Sequence, residues 1–260
     1  MSVTIHPTAI VDSRAELDDG VTIGAYSVIS GKVTLGKNVQ VHHHAVVKGT
    51  TKVGEGSELF SFCVVGEDPQ DLKFKGEDSL LILGSFNKIR EFATIHRGTE
   101  EGGGKTELGN HNLIMGCCHI AHDCILGDYN IMANYSGLAG HAQVGNYVTF
   151  GGYSGVTQKL RVGSYAMLAS YTNLRLDCPP YAFVSGNEKA KVVKINQVRL
   201  ERCAFLKEEV QAIQTAYRIF FRSGLTQKEA LSKLQAEFPN QKKVQSFVQF
   251  VESSTAGITR

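Results

Sequence analysis

The sequence predicts a mainly β protein, a three-sided coil of short parallel strands over residues 1–185 followed by an α-helical domain over 186–260. Three observations predict it. Aliphatic residues recur every six positions, the beat breaks at only two polar segments, and after "DCPPYAFVSGN" it gives way to helical spacing.

Counting in sixes from Ile5 lands on Val11, Leu17, Ile23, Ile29, Leu35, Val41, Val47, Val53, Leu59 and Val65. The beat returns at Leu83, Ile89 and Ile95, and runs again from Leu108 to Leu174. Four residues after a beat the side chain is small or modest, as at Ala9, Ala15, Ser27, Ala45, Ser57, Ala142, Ser154 and Ala166. A period of six fits neither an α-helix nor one long strand. It fits short strands joined by tight corners, each hexad sending one side chain into a narrow core. Glycine often follows the beat, as in "IGAYSV" and "VGEGSE", and is expected to supply the unusual backbone angles of the corner. Three hexads close one coil, and coils stack at the inter-strand spacing of about 4.8 Å.

Continuing the count through the first break would drive Asp71 and Glu77 into a dry core, at high cost. An external loop is therefore expected near 66–82. A second, near 98–107, carries Gly102, Gly103 and Gly104 and is expected to be flexible. Beyond the hexads, Val210, Ile213, Tyr217 and Phe220 lie on one helical face, and "TQKE" from Thr226 to Glu229 reads as a capping box. Val244, Phe247, Val248 and Val251 mark a last amphipathic helix. An open coil exposes strand edges and flat faces, which helices and subunit packing would cover, so a homo-oligomer is expected.

The composition excludes several classes. Twenty-seven basic against 25 acidic residues leave a net charge of +2, which does not suit a protein that coats nucleic acid. No apolar run approaches the roughly 18 residues of a membrane span, and the N-terminus lacks an export signal, so a soluble cytoplasmic protein is expected. The six cysteines form no C-x-x-C pair. Cys63, Cys118, Cys124 and Cys178 fall on the small-residue slot and read as reduced core residues.

With 18 residues per coil, His122, Gly140 and Gln158 share one column, and Asp123, His141 and Lys159 the next. A histidine that can take a hydroxyl proton, beside a glycine whose N–H can be approached, suits acyl transfer. A solvated polar corner gives the same pattern, and the run His42, His43 and His44 is read that way.

The hexads resemble those of left-handed parallel β-helices over roughly residues 5–178. The handedness rests on that resemblance, since the general preference for right-handed crossovers predicts the opposite. "IHPTAIV", "PQDLKF", "IREFATIHRGT", "HIAHDC", "LAGH" and "YRIFFRSG" occur in an order that resembles the UDP-N-acetylglucosamine O-acyltransferases, across essentially the whole chain. The resemblance implies transfer of an (R)-3-hydroxyacyl chain from acyl carrier protein to the sugar 3-hydroxyl, the first step of lipid A synthesis, by a homotrimer without cofactor. His122 would be the general base, Asp123 its orienting partner and Gly140 the oxyanion donor. Gln70, Asp71, His119 and His141 would line the sugar site with Lys73 at its rim, and Gln158 is placed among the substrate contacts. Asn196 and Arg202 would meet the nucleotide across a subunit interface, and Met167 to Tyr171, with Ser170, would gauge acyl length.

Alternatives remain. Lys189, Lys191, Lys194, Arg199 and Arg202, against Glu188 and Glu201, form either a patch for an acidic carrier protein or diphosphate, or a solvated face. His119, His122 and Asp123 are metal-ligand types. The γ-class carbonic anhydrases that hold zinc on such a coil differ in histidine spacing and lack the helical tail, so no metal is assigned. Thr157 stands where relatives often have histidine, and Val198 where some have glutamate, which leaves open a non-catalytic trimeric binding paralogue. An N-acyltransferase of the same fold is the other alternative, although such enzymes normally begin with an extra domain and here the beat starts at Ile5.

Overall fold

In a computed structural model, which describes residues 2–260, the hexads form strands mostly of two residues in three sheets. The sheets contain 11, 9 and 8 strands, and successive strands of the chain visit the three in turn. Thr4 pairs with Thr22, Glu16 with Thr34 and Ile10 with Val28, so each turn of chain lies in register on the one before it. The prism is a left-handed parallel β-helix capped by C-terminal helices.

The beat residues are its core. Ile29, Leu35, Leu59, Ile95, Ile114, Ile120 and Leu138 are fully buried, each contributing about 1.5–3 kcal/mol by leaving water. Only the first coil departs: Ile5 is 44% exposed because no coil lies in front of it. The cysteines of the small-residue slot are buried, and all six thiols are free. Burial pushes Cys63 and Cys124 up to about 12, which removes their nucleophilic form at neutral pH.

The corners depart from the expected role of glycine. The left-handed backbone angle falls three residues after the beat, usually on a larger side chain, with φ +58 at Tyr26, +59 at His44, +59 at Tyr147 and +58 at Tyr153. Glycine directly after the beat instead permits close approach between coils. A Cβ on Gly24 would lie 2.7 Å from the His43 nitrogen, and one on Gly54 2.5 Å from the Gly84 carbonyl carbon. Aromatic stacking offsets strain at the corner. Tyr129, Tyr147 and Tyr165 stack along one corner at 4.8 and 5.1 Å, and Tyr135, Tyr153 and Tyr171 along another at 4.7 and 5.0 Å. His44 belongs to such a ladder, its ring stacked between Tyr26 and Phe62, while it stays exposed at the corner as the sequence suggests.

Both loops leave the prism where the beat stops. The first, 68–79, is pinned by an ion pair between Asp68 and Arg97, whose side chain is 11% exposed. In the second, Gly103 and Gly104 take positive φ, and the Gly104 N–H donates to the Thr99 carbonyl at 2.7 Å. The glycines thus serve a hydrogen-bonded turn.

At the far end, Ala182–Ser185 continues the first sheet and pairs antiparallel with Lys191–Ile195. The segment after residue 186 therefore opens with a strand, buried through Val192 and Ile195, and helix begins at Gln197. Four helices follow, α1 (Gln197–Arg202), α2 (Lys207–Arg222), α3 (Gln227–Glu237) and α4 (Lys242–Glu252). Ile213, Tyr217 and Phe220 of α2 and all four apolar residues singled out on α4 are buried. Thr226 and Glu229 close the capping box on α3. Arg161 on the last coils bonds Asp177, Ser253 Oγ and the Phe250 carbonyl, tying the end of α4 to the prism.

Candidate active site

Two corners carry aromatic ladders, while the corner between the second and third sheets carries Asp123, His141 and Lys159 at the left-handed position. Aspartate tolerates that conformation better than most residues. The strand His119–Ile120 delivers His122 to this corner immediately before Asp123.

His122 Nδ1 lies 2.7 Å from Asp123 Oδ2, the two side chains being 9% and 0% exposed. The same carboxylate accepts the Thr99 N–H and the Thr99 hydroxyl, both at 2.7 Å. Three donors therefore compensate its burial. Because the carboxylate accepts, the neutral imidazole donates through Nδ1, which leaves Nε2 as its acceptor. Gly102 of the second loop closes over the pair: a Cβ there would fall 1.9 Å from the Asp123 carboxyl carbon.

Gly140 lies on the next coil against the imidazole, where a Cβ would meet His122 Nε2 at 2.7 Å. Any larger residue would cover the free nitrogen. Among the described residues the Gly140 N–H has no hydrogen-bond acceptor, a property shared by other amides two after a beat, such as that of His43. Its distinction is to stand beside a histidine. His141 meets His122 edge-on at 5.1 Å, with Nδ1 3.8 Å from Asp123 Oδ2.

Below this corner, Thr94 Oγ1 hydrogen-bonds His119 Nδ1 at 2.7 Å, and the buried His96 packs edge-on to His119 at 4.9 Å. Burial, then neighbouring His119, holds His96 down to about 4, and burial followed by His122 lowers His119. Both rings are uncharged at neutral pH. Sequence reasoning missed His96, Thr94 and Thr99. His96 had a signal, since it directly follows the beat residue Ile95, where Gly66 follows Val65 and Ala121 follows Ile120; in the structure the register shifts past Val65 and pairs His96 with Glu67. Thr99 had none, because its contact with Asp123 depends on how the loop turns back.

The remaining candidates are dispersed. Asp71 and Lys73 line a 390 Å³ cavity between the two loops, together with Thr99, and Lys73 Nζ pairs with Glu101 at 2.9 Å. Gln70 and Gln158 are exposed. Asn196 and Arg202 line a different cavity, of 840 Å³, with Ile131, Thr149 and Met167 of the first sheet. Asn196 is buried, and its Nδ2 donates to the Tyr165 carbonyl at 2.9 Å. In a three-sided prism the first sheet lies opposite the corner of His122, so one chain does not bring Asn196 and Arg202 to the histidine.

The metal-ligand types also regroup. His122, Asp123 and His141, rather than His119, bring one donor atom each within 4.8 Å of one another. His122 and Asp123 of this group are already bonded to each other through Nδ1 and Oδ2, so the arrangement fits a base and its orienting acid.

A β-helical prism with a histidine–aspartate pair beside a glycine amide on one corner matches the class of hexapeptide-repeat acyltransferases. Comparisons with known proteins narrow this. A family described as "Udp N-acetylglucosamine O-acyltransferase; Domain 2" matches residues 177–259. The chain is 52% identical over 260 residues to the acyl-[acyl-carrier-protein]–UDP-N-acetylglucosamine O-acyltransferase of Trichlorobacter lovleyi, covering 99% of this chain and 100% of that one. It is 47% identical over 256 residues to the enzyme of that name from Myxococcus xanthus, covering 98% and 99%. The crystal structure of UDP-N-acetylglucosamine O-acyltransferase from Moraxella catarrhalis superposes with a TM-score of 0.95 at 39% identity, covering 98% of this chain and 99% of that one. The chain belongs to the acyl-[acyl-carrier-protein]–UDP-N-acetylglucosamine O-acyltransferase family.

Proposed function

We propose that the protein transfers an (R)-3-hydroxyacyl group from acyl carrier protein to the 3-hydroxyl of UDP-N-acetylglucosamine, the first step of lipid A synthesis, in the cytoplasm. The observation that carries this reading is the His122–Asp123 pair with Nε2 open beside Gly140. The sugar hydroxyl gives its proton to His122 Nε2 while its oxygen attacks the thioester carbonyl. Negative charge gathers on the carbonyl oxygen, which the Gly140 N–H stabilises, and Asp123 holds the imidazolium. Collapse expels the carrier's thiolate, which takes the proton back from Nε2. No acyl-enzyme is needed, because the donor arrives activated and both reactants are held in place.

His119 and His141, with Gln70, Asp71 and Lys73 from the loop and Gln158 from the next coil, are assigned to the acceptor. Asn196 and Arg202 are assigned to its nucleotide end. Their position away from the histidine corner supports a site shared between chains and, with it, a homotrimer.

The reading is tested by incubating purified protein with UDP-N-acetylglucosamine and 3-hydroxyacyl carrier proteins of several chain lengths. The expected product is an ester at the 3-hydroxyl. An absence of transfer from every donor, or transfer only to the 3-amino analogue, overturns it, the second result favouring an N-acyltransferase.

A further inference from the structure

The first loop leaves the prism between a strand of the second sheet and one of the third, and a single side chain fills the break in the stack. Strand Val64–Glu67 lies between Val46–Lys48 on the coil before it and Thr94–His96 on the coil after it. Gly49 follows the first of these flanking strands and Arg97 the second, so they meet across the point where residues 68–79 depart. A Cβ on Gly49 would lie 2.5 Å from Arg97 Nε and 2.6 Å from its Cδ. Only glycine there leaves the arginine its place, and Arg97 is buried in it.

From this position the guanidinium meets the loop at its start, middle and end. Nη2 donates to the Asp68 carboxylate, Cζ lies 5.9 Å from the centre of the Phe74 ring, and Nη1 donates to the Ser79 carbonyl at 3.4 Å. The Arg97 N–H adds a bond to the Glu67 carbonyl at 3.1 Å, just before the loop begins. Two other contacts tie the loop down, Thr50 Oγ1 to Asp78 and Lys73 Nζ to Glu101, both at 2.9 Å and both exposed. Exposed contacts of that kind contribute little. A buried cation is different, because freeing the loop from it would leave its charge unpaired. Between the anchors the loop carries Gln70, Asp71 and Lys73, the residues assigned above to the acceptor.

We propose that Arg97 is a positioning residue for acceptor binding: it touches no substrate, and holds the 68–79 loop in the shape that presents Gln70, Asp71 and Lys73 to the UDP-sugar. The assignment rests on the acyltransferase reading above. Arginine suits the task because its planar fork bonds two separate acceptors while lying near an aromatic ring. Lysine offers one point charge and cannot reach both ends of the loop at once.

The test measures kcat, KM for each substrate and the calorimetric Kd of UDP-N-acetylglucosamine in wild type, R97M, R97K and D68N. R97M should raise KM and Kd for the UDP-sugar by about tenfold or more, while KM for the acyl carrier protein donor and kcat at saturating acceptor stay within about twofold. R97K should recover part of the loss. D68N, altered at a half-exposed carboxylate that the fold can spare, should show a smaller shift of the same kind. In a K73A background R97M should cost less than in wild type, because part of what the loop presents is already gone. Equal costs in both backgrounds, an equal rise in both KM values, or a fall in kcat with acceptor affinity unchanged overturns the assignment and leaves the acyltransferase reading intact. Should R97M fail to fold, D68N decides, and an unchanged acceptor KM there overturns it as well. A wild type that binds the UDP-sugar but transfers no acyl group overturns the acyltransferase reading alone, since the calorimetric comparison still reads the loop.

Discussion

His122 Nδ1 is held 2.7 Å from Asp123 Oδ2, and the bond fixes which face of the imidazole is available for proton transfer. Removing the acceptor oxygen breaks that control. Asp123→Asn should reduce kcat by about 10²–10⁴-fold, because the amide can favour the wrong tautomer and cannot stabilise the imidazolium. KM for either substrate should change much less. A pH–rate profile is the check: unchanged kcat across the range would remove Asp123 from the mechanism.

Gly140 faces the other side of the same ring. A methyl group at Gly140→Ala would collide with His122 Nε2 at 2.7 Å while disturbing only the corner. kcat should fall about 10²-fold or more, as for loss of an oxyanion donor, with little change in melting temperature. Full activity in this variant would show that the space beside the imidazole is not used.

Thr99 reaches Asp123 from the second loop through both its N–H and its hydroxyl. Thr99→Val keeps the volume and removes one donor from a buried carboxylate. Stability should fall by about 1–3 kcal/mol and kcat should drop with it. Denaturant titration together with steady-state kinetics reads the two effects, and a variant unchanged in both would contradict the role of the loop.

His96 supplies a pH signature. Its folded-state value is depressed to about 4 from 6.5, so in the unfolded chain the ring gains a proton first as the pH falls. Stability conferred by the neutral ring is complete above about 6.5 and is lost as the pH falls toward 4. Denaturant midpoints measured across that window should decline in the wild type and decline less in His96→Gln. Parallel curves would assign the titration elsewhere.

The parts of the fold legible in the sequence are those set by translation along the coil. Ile120 and Leu138 had to be inward because they share a beat, and His122 and Gly140 had to be neighbours because their strands repeat in register. What was not legible depends on chain that leaves the repeat. Thr99, Gly102 and the Asp68–Arg97 pair meet their partners through loop turns that no period describes. The corner misled for another reason. Glycine is the residue expected at unusual backbone angles, yet here stacking along the column lets Tyr147 and Tyr153 occupy them, while Gly24 answers to the closeness of the next coil.

The central claim is that His122 removes the proton from the attacking sugar hydroxyl. Single-turnover transfer from 3-hydroxyacyl carrier protein to UDP-N-acetylglucosamine, comparing wild type with His122→Ala, tests it most directly. The account predicts a loss of about 10²–10⁴-fold in the rate of the chemical step, with the fold and substrate affinities retained. Transfer by His122→Ala at the wild-type rate would contradict it.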